Sequence, residues 1–151
     1  MKKNFLIVCL VFLFTSCEYQ PLYKNTNLQN INYKIIAQSG DQQINKLIIN
    51  NLKKNNSEDK TETYDIKLDT SYDKKILAKD NFGSPTSYEL TATSKIIVNT
   101  NEKEVSFSMS EKFNYKNLKE NYEQSNYENI IKKNLASNIS EKLIIKLATI
   151  K

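Results

Sequence analysis

Two cysteines are the most reactive side chains of the sequence, and their positions limit the chemistry they can perform. Cys17 follows the small residues Thr15 and Ser16, which come after an unbroken apolar run of ten residues at 5–14. Cys9 lies inside that run. Removal of the run as a targeting signal would therefore leave Cys17 without an intrachain partner. We expect a mature chain that has no disulfide and one thiol open to covalent modification.

The residues before Cys17 have the three parts of a secretory signal: a basic start with Lys2 and Lys3, an apolar run and small residues. The sequence Phe-Thr-Ser-Cys at 14–17 resembles the lipobox of bacterial lipoproteins, in which the cysteine is diacylated and becomes the new N-terminus. Leucine is usual where Phe14 stands. A membrane-spanning helix would need about 20 apolar residues, and an ordinary cleaved signal with an incidental cysteine is the other alternative. The resemblance predicts a cleaved signal peptide at 1–16 and acyl chains such as palmitate on Cys17.

Catalysis is not expected from this composition. The chain has no histidine, so the commonest general base is missing. Its two glycines, Gly40 and Gly83, are too few for a phosphate-cradling loop. Asp65 and Asp69 alternate with apolar residues as the polar face of a strand would, and no metal-ligand cluster is visible. We therefore predict a protein that is not an enzyme and has no cofactor besides the lipid on Cys17.

The charge of the chain is moderately positive, at +5, and all 22 basic residues are lysines. Arginine is the residue best suited to bidentate phosphate recognition. Its absence, together with the export signal, argues against a nucleic-acid partner. Lysine can still contact phosphate as a point charge.

Hydrophobic periodicity predicts four strands and two helices. Alternation predicts strands at about 31–38, 64–72, 88–98 and 105–115, with a loop at about 73–86 that holds three lysines. The first helix should begin after the first strand, capped either by Asp41 or by a box of Ser39 with Gln42. The second helix should begin with a capping box from Ser125 to Glu128 and run for about 22 residues. Its apolar residues recur every four positions from Tyr127 to Leu147, and they suit core packing or, alternatively, a membrane surface.

These elements predict an α+β fold, with a four-stranded, mostly antiparallel sheet and both helices packed on one face in the order strand-helix-strand-strand-strand-helix. Residues 17–30 would form a lipidated N-terminus and tether, and residues 31–151 a single domain. The second face of the sheet would be rich in Ser, Thr, Lys and Asp. Such a face meets either water or a polar partner.

The sequence Cys-Glu-Tyr-Gln-Pro-Leu-Tyr at 17–23 resembles the Cys-Gly-Phe-x-Pro-Leu-Tyr start of the LptE family of lipopolysaccharide-assembly lipoproteins, especially its alphaproteobacterial forms. The predicted element order, the Thr-Ser-Tyr-Glu-Leu sequence at 86–90 and the tyrosine-rich stretch at 115–127 are similar to that family as well. Glu18 and Tyr19 depart from the family's glycine and phenylalanine, and lysine stands where relatives often carry arginine.

The resemblance implies a non-catalytic role at the periplasmic face of the outer membrane, reached through the lipid anchor. Members of the family plug the lumen of the LptD β-barrel, help it assemble and bind lipopolysaccharide during its insertion into the outer leaflet. Glu18 is compatible with outer-membrane sorting, since it is not the aspartate of inner-membrane retention. The alternative is an outer-membrane lipoprotein that binds a periplasmic ligand or stabilises the envelope without a barrel partner.

Two sets of residues become candidate contacts on this interpretation. Lysines in and near the predicted loop would meet the anionic head of lipopolysaccharide, or would only keep the loop soluble: Lys74, Lys75, Lys79 and Lys95. Small polar residues on the uncovered sheet face would meet the barrel: Thr91, Thr93, Ser106 and Ser108.

Overall fold

A computed structural model describes residues 31–54 and 62–150. The predicted signal peptide and tether, including Cys17, lie outside the described residues. The elements in chain order are β1 (Ile31–Gly40), α1 (Gln42–Lys54), β2 (Glu62–Lys79), β3 (Pro85–Asn99), β4 (Glu104–Lys116) and α2 (Asn121–Leu147). This is the predicted α+β order.

The four strands form one mixed sheet in the order β1-β2-β3-β4. β1 pairs parallel to β2, while β2 with β3 and β3 with β4 are antiparallel. A parallel pair needs a crossover connection, and α1 lies in the connection between β1 and β2. The prediction of a mostly antiparallel sheet is confirmed, and β1 and β4 are its two edges.

The core lies between one face of the sheet and both helices. Alternate residues of the strands are buried there because the side-chain period of a strand is two. They include Tyr33, Tyr64, Ile66, Leu68, Leu90, Ala92, Ile96 and Val98. The helices contribute Ile44, Ile48, Leu52, Ile131, Leu135, Ala136, Ile139, Leu143 and Leu147. The predicted core packing of the second helix is therefore confirmed from Ile131 onward, while Tyr127 and Ile130 are exposed.

The junction between β1 and α1 selects one of the two predicted helix starts. The Asp41 carboxylate accepts a hydrogen bond from the Ile44 N–H at 2.9 Å, which is the side-chain bond of an N-cap. Ser39 instead donates its hydroxyl to Asp69 on β2 at 2.7 Å. The capping-box alternative with Gln42 is therefore wrong.

The loop predicted at 73–86 is wrong, because β2 and β3 continue their pairing through most of it. Residues from Asp73 to Lys79 pair with residues from Thr91 back to Pro85. Only 80–84 form the turn, in which the Asp80 carboxylate accepts hydrogen bonds from the N–H groups of Phe82 and Ser84, each at 2.9 Å. Backbone hydrogen bonds between strands override the loop signal of the charged residues in this segment. We call the paired residues 73–79 and 85–91, with their turn, the hairpin end.

The start predicted for the second helix is also wrong. α2 begins at Asn121, and its N-cap residue Glu120 makes no side-chain capping hydrogen bond. Glu128, the last residue of the predicted capping box, lies inside the helix and bonds elsewhere. The helix is 27 residues long instead of about 22, since its first turns pack against the hairpin end and β4.

Candidate functional site

One face of the sheet carries no helix within the part of the chain that the structure describes. Thr91 and Thr93 point to this side, because their neighbours Leu90, Ala92 and Ser94 are buried on the other. Register places the remaining predicted barrel-facing residues on the same side. We call this surface the open face and define its centre by Ser71, Thr91, Thr93, Ser106, Ser108 and Ser110.

Hydroxyl groups at the centre of the open face bond to one another and to the backbone. Thr93 Oγ1 and Ser110 Oγ are 2.9 Å apart, and Ser108 Oγ donates to the Ser94 carbonyl at 3.4 Å. A hydroxyl has one donor and two acceptor positions. Each group therefore keeps unused hydrogen-bonding capacity with which the face can contact a polar surface.

Charges of both signs flank these hydroxyls. Asp69 lies directly opposite Lys95 in the β2–β3 register, and Lys112 forms an ion pair with Glu89 at 3.3 Å. Lys95 in turn lies opposite Ser108. The open face is therefore polar with mixed charge, and Lys95 lies among the hydroxyl residues of its centre.

The four candidate lysines for lipopolysaccharide do not share one face. Lys75 lies opposite Glu89 and Lys95 opposite Asp69, so both belong to the open face. Lys74 points to the helix side, where its ammonium pairs with Glu128 at 2.6 Å and lies 4.2 Å from the centre of the Tyr88 ring. Lys75, Lys79 and Lys95 are exposed, and none forms an ion pair within the described residues.

A cluster of aromatic rings joins α2 to β3 and β4. Tyr88 stacks on Tyr115 with ring centres 5.5 Å apart, and Tyr127 meets Tyr115 edge-on at 5.7 Å. Phe113 also meets Tyr127 edge-on, with ring centres 6.4 Å apart. We call these four residues the aromatic cluster. Such geometries stabilise aromatic pairs beyond the burial of their area.

Glu128 anchors this cluster with three hydrogen bonds. Its carboxylate accepts from the Lys74 ammonium at 2.6 Å, from the Gln124 amide at 3.0 Å and from the Tyr115 hydroxyl. Burial raises the pKa of Glu128, but these three donors outweigh burial and hold its pKa below the ordinary value. Burial and the neighbouring carboxylate raise the pKa of Tyr115. Sequence reasoning placed Glu128 in a capping box and missed this role, although the tyrosine-rich stretch at 115–127 was a usable signal.

A second polar link joins α2 to the start of α1. Lys132 pairs with Asp41 at 2.8 Å, and its ammonium lies 4.4 Å from the centre of the Tyr72 ring. Burial is the main cause that raises the pKa of Tyr72 to about 12, and the negative charges of Glu128 and Asp41 raise it further. Tyr72 is therefore a neutral phenol at physiological pH. These contacts hold a structural junction together, and they include no nucleophile with a matching base.

An open groove of about 540 Å³ lies between β1 and α1. Ile35, Ile36 and Ile49 contribute apolar walls, and Lys34 and Lys53 line it as well. Ile36 stands at a register shift in β1 and is exposed. The groove therefore combines apolar surface with two positive side chains.

The described residues contain no group of three or more His, Cys, Asp or Glu side chains that could hold a metal ion. Within 31–54 and 62–150, no helix is both long enough and apolar enough to cross a membrane.

Solved structures of lipoproteins are similar to this chain in fold. The chain superposes on rare lipoprotein B from Shewanella oneidensis with a TM-score of 0.61 and 16% identity, over 78% of this chain and 95% of that one. It superposes on a putative lipoprotein from Caulobacter crescentus with a TM-score of 0.55 and 16% identity, over 82% and 90%. The chain shares the fold of these lipoproteins. An uncharacterized lipoprotein B from Nitrosomonas europaea is similar at a TM-score of 0.50 and 11% identity, over 80% and 86%.

No family model matches this sequence, and no curated protein matches it as a relative. The identities to the solved lipoproteins are low, so the likeness extends to the fold alone.

Proposed function

We propose that this chain is a lipid-anchored protein at the periplasmic face of the outer membrane, which plugs and helps assemble an LptD-type β-barrel. In this role it takes part, without catalysis, in lipopolysaccharide insertion into the outer leaflet. The observation that carries the proposal is the open face, where small hydroxyl residues are presented across neighbouring strands. The shared fold with lipoproteins and the sequence at 17–23 support it.

The chemistry of the open face suits the inside of a large barrel. Barrel lumens are polar and wet, so a surface that meets one needs hydrogen-bonding groups and short side chains. Thr91, Thr93 and Ser108 supply both, and a hydroxyl group costs less to desolvate than a charged group. Obligate interfaces bury about 2,000 Å² or more, so a plug should remain bound in detergent and moderate salt.

The position of the tether is compatible with a plug. β1 begins at Ile31, opposite Glu62, while the hairpin end lies at the far end of β2. A tether of about 13 residues can reach roughly 45 Å when extended. The end of the sheet at Ile31, where β1 begins, would then face the inner leaflet, and the hairpin end would point into the barrel.

The hairpin end has the amphiphilic character that lipopolysaccharide recognition requires. Lys75 and Lys79 present positive charge, and Phe82 at the turn is 94% exposed. Ile76 and Leu77 are exposed beside them. Phosphates and acyl chains of one ligand could therefore be contacted within a short stretch of chain.

Crosslinking in living cells tests the barrel partner. A photo-crosslinker at Thr91, Thr93, Ser106 or Ser108 should capture a large β-barrel, with weaker capture from Asn138, which is exposed on α2. The same group at the buried Leu135 should mainly disrupt folding. A protein that purifies alone in mild detergent, and whose open face captures nothing, would contradict the proposal.

The lipid anchor has its own test. Each buried methylene contributes about 0.8 kcal/mol, so two or more acyl chains give stable anchoring where one does not. Cys17→Ala should accumulate as an unprocessed precursor. An unmodified Cys17 thiol in the wild-type protein, detected by mass spectrometry, would contradict acylation.

The groove between β1 and α1 favours a second candidate function: an outer-membrane lipoprotein that binds a periplasmic ligand without a barrel partner. Its isoleucine walls and the lysines Lys34 and Lys53 fit an anionic ligand that has an apolar part. Purification of the lipoprotein alone, with a bound small molecule found by mass spectrometry, would support this candidate over the plug.

A further inference from the structure

The two edge strands of the sheet, β1 and β4, differ in how regularly they pair with their neighbouring strands. β1 has a register shift between Ile35 and Ala37, and such irregularities protect an edge from pairing with another chain. β4 pairs with β3 over 13 consecutive residues with no shift, and it contains no proline. Residues 105–110 of β4 carry no charge. Within the described residues, no strand covers the outer side of β4.

We propose that β4 pairs with β4 of a second copy of this chain, antiparallel and around a two-fold axis at Ser110. Ser110 is the middle residue of Glu104–Lys116, so this register pairs the whole strand with its copy. The result would be a continuous eight-stranded sheet. Both helix layers would lie on one side of it and both open faces on the other, because directly opposite residues of paired strands share a face.

Charge and shape are self-complementary in this register. Glu104 faces Lys116 of the second copy, and by symmetry the contact occurs twice, once at each end of the paired strands. Phe107 faces Phe113 on the helix side, also twice. The other pairs are Val105 with Tyr115, Ser106 with Asn114, Ser108 with Lys112, and Met109 with Glu111. No two like charges are opposite, and opposite charges and aromatic pairs both stabilise strand pairing.

The exposed apolar surface along β4 also supports a second copy of this chain as the partner. Val105, Phe107 and Met109 pack against the core but are only partly buried, and Phe113 is 39% exposed. A second β4 would cover these side chains with their own symmetry mates. The open backbone groups of the edge would be satisfied in the same step.

This inference does not rest on the proposed function. It concerns the chain by itself, before any other protein binds, and its test uses the purified chain alone. A barrel plug and a free dimer are alternative states of the same molecule. Failure of either proposal therefore leaves the other open to its own test.

The experiment uses the chain as it is purified from cells in mild detergent, with Cys17 unchanged, because a change at Cys17 is expected to leave an unprocessed precursor. Sedimentation equilibrium should show a monomer–dimer equilibrium. Ser110→Lys places two lysines opposite each other at the axis and should weaken the dimer by up to about fivefold. Ser71→Lys, on the same face but on an inner strand, is the matched control and should leave the dimer unchanged.

A cysteine scan tests the register. Ser110 faces its own copy, so Ser110→Cys should form an intermolecular disulfide on oxidation, whereas Ser106→Cys, which faces Asn114, should form little. A chain that is monomeric at every concentration would overturn the proposal, as would equal crosslinking of the two variants. Equal effects of Ser110→Lys and Ser71→Lys, with both variants folded by circular dichroism, would overturn it too.

Discussion

The Tyr115 hydroxyl donates a hydrogen bond to the Glu128 carboxylate, which ties the last strand of the sheet to the first half of α2. The same carboxylate accepts from Lys74 on β2. One acidic side chain of the helix is therefore bonded to two strands of the sheet. Because the first turns of α2 lack a side-chain cap, this link is the main polar constraint on their position.

Glu128→Ala should destabilise the protein by about 1–3 kcal/mol, because the largely buried Tyr115 hydroxyl loses its acceptor. The loss should appear in urea unfolding as a lower midpoint with an unchanged slope. Glu141→Ala is the matched control, since Glu141 is exposed on the same helix, and its effect should stay within about 0.5 kcal/mol. Equal effects of the two changes would contradict the anchoring role of Glu128.

Acid should weaken the same link. The pKa of Glu128 is held below its ordinary value of 4.5, so the folded state binds fewer protons than the unfolded state in this range. The contribution of Glu128 is complete above pH 4.5 and is lost as the pH falls through the lowered pKa. Stability measured against pH should therefore decline below about pH 4.5. Glu128→Gln should flatten that part of the curve, and an unchanged acid slope would contradict this assignment.

Gly40 is required for the turn from β1 into α1. Its φ angle is +79°, and an added Cβ would overlap the carbonyl group of Thr70 on β2. Gly40→Ala should therefore cost more than the roughly 1–2 kcal/mol of a left-handed residue alone. Gly83 also has a positive φ, +85°, but a Cβ there meets nothing within 4 Å. Gly83→Ala is the matched control, and thermal unfolding should show a clearly smaller loss for it.

Periodicity predicted the elements of this fold well, because one face of each strand and one stripe of each helix must be buried. The alternation from Tyr64 to Tyr72 and the four-residue repeat from Ile131 to Leu147 correctly identified core positions. It failed at residues 73–79, which are exposed on both sides, since hydrogen bonds between β2 and β3 leave no hydrophobic pattern. Glu128 shows a second limit, because its partners Lys74 and Tyr115 are 54 and 13 positions away in the sequence and a local capping motif does not reveal them.

The packing of α2 gives a direct stability test. Leu143 is fully buried against the sheet, so Leu143→Ala should cost about 2–5 kcal/mol through lost burial and the cavity left behind. Ile145 lies two residues further along and is 43% exposed. Ile145→Ala should therefore cost much less, about 0.5 kcal/mol or below. Similar losses for the two variants in denaturant unfolding would mean that the stripe of α2 is not the core face.

Lipopolysaccharide binding should depend on Lys75 and Lys79 and not on Lys74. The first two are exposed at the hairpin end without an ion pair among the described residues, whereas Lys74 is already paired with Glu128. Changing Lys75 and Lys79 together to Glu should weaken binding to lipopolysaccharide vesicles, and the difference from wild type should shrink at high salt. Exposed charges are screened within roughly 10 Å at 0.1 M salt. Lys74→Glu instead places a second carboxylate beside Glu128, so it should lower stability first. Unchanged binding of the double variant at low salt, with the fold intact, would reject the hairpin end as the lipopolysaccharide contact.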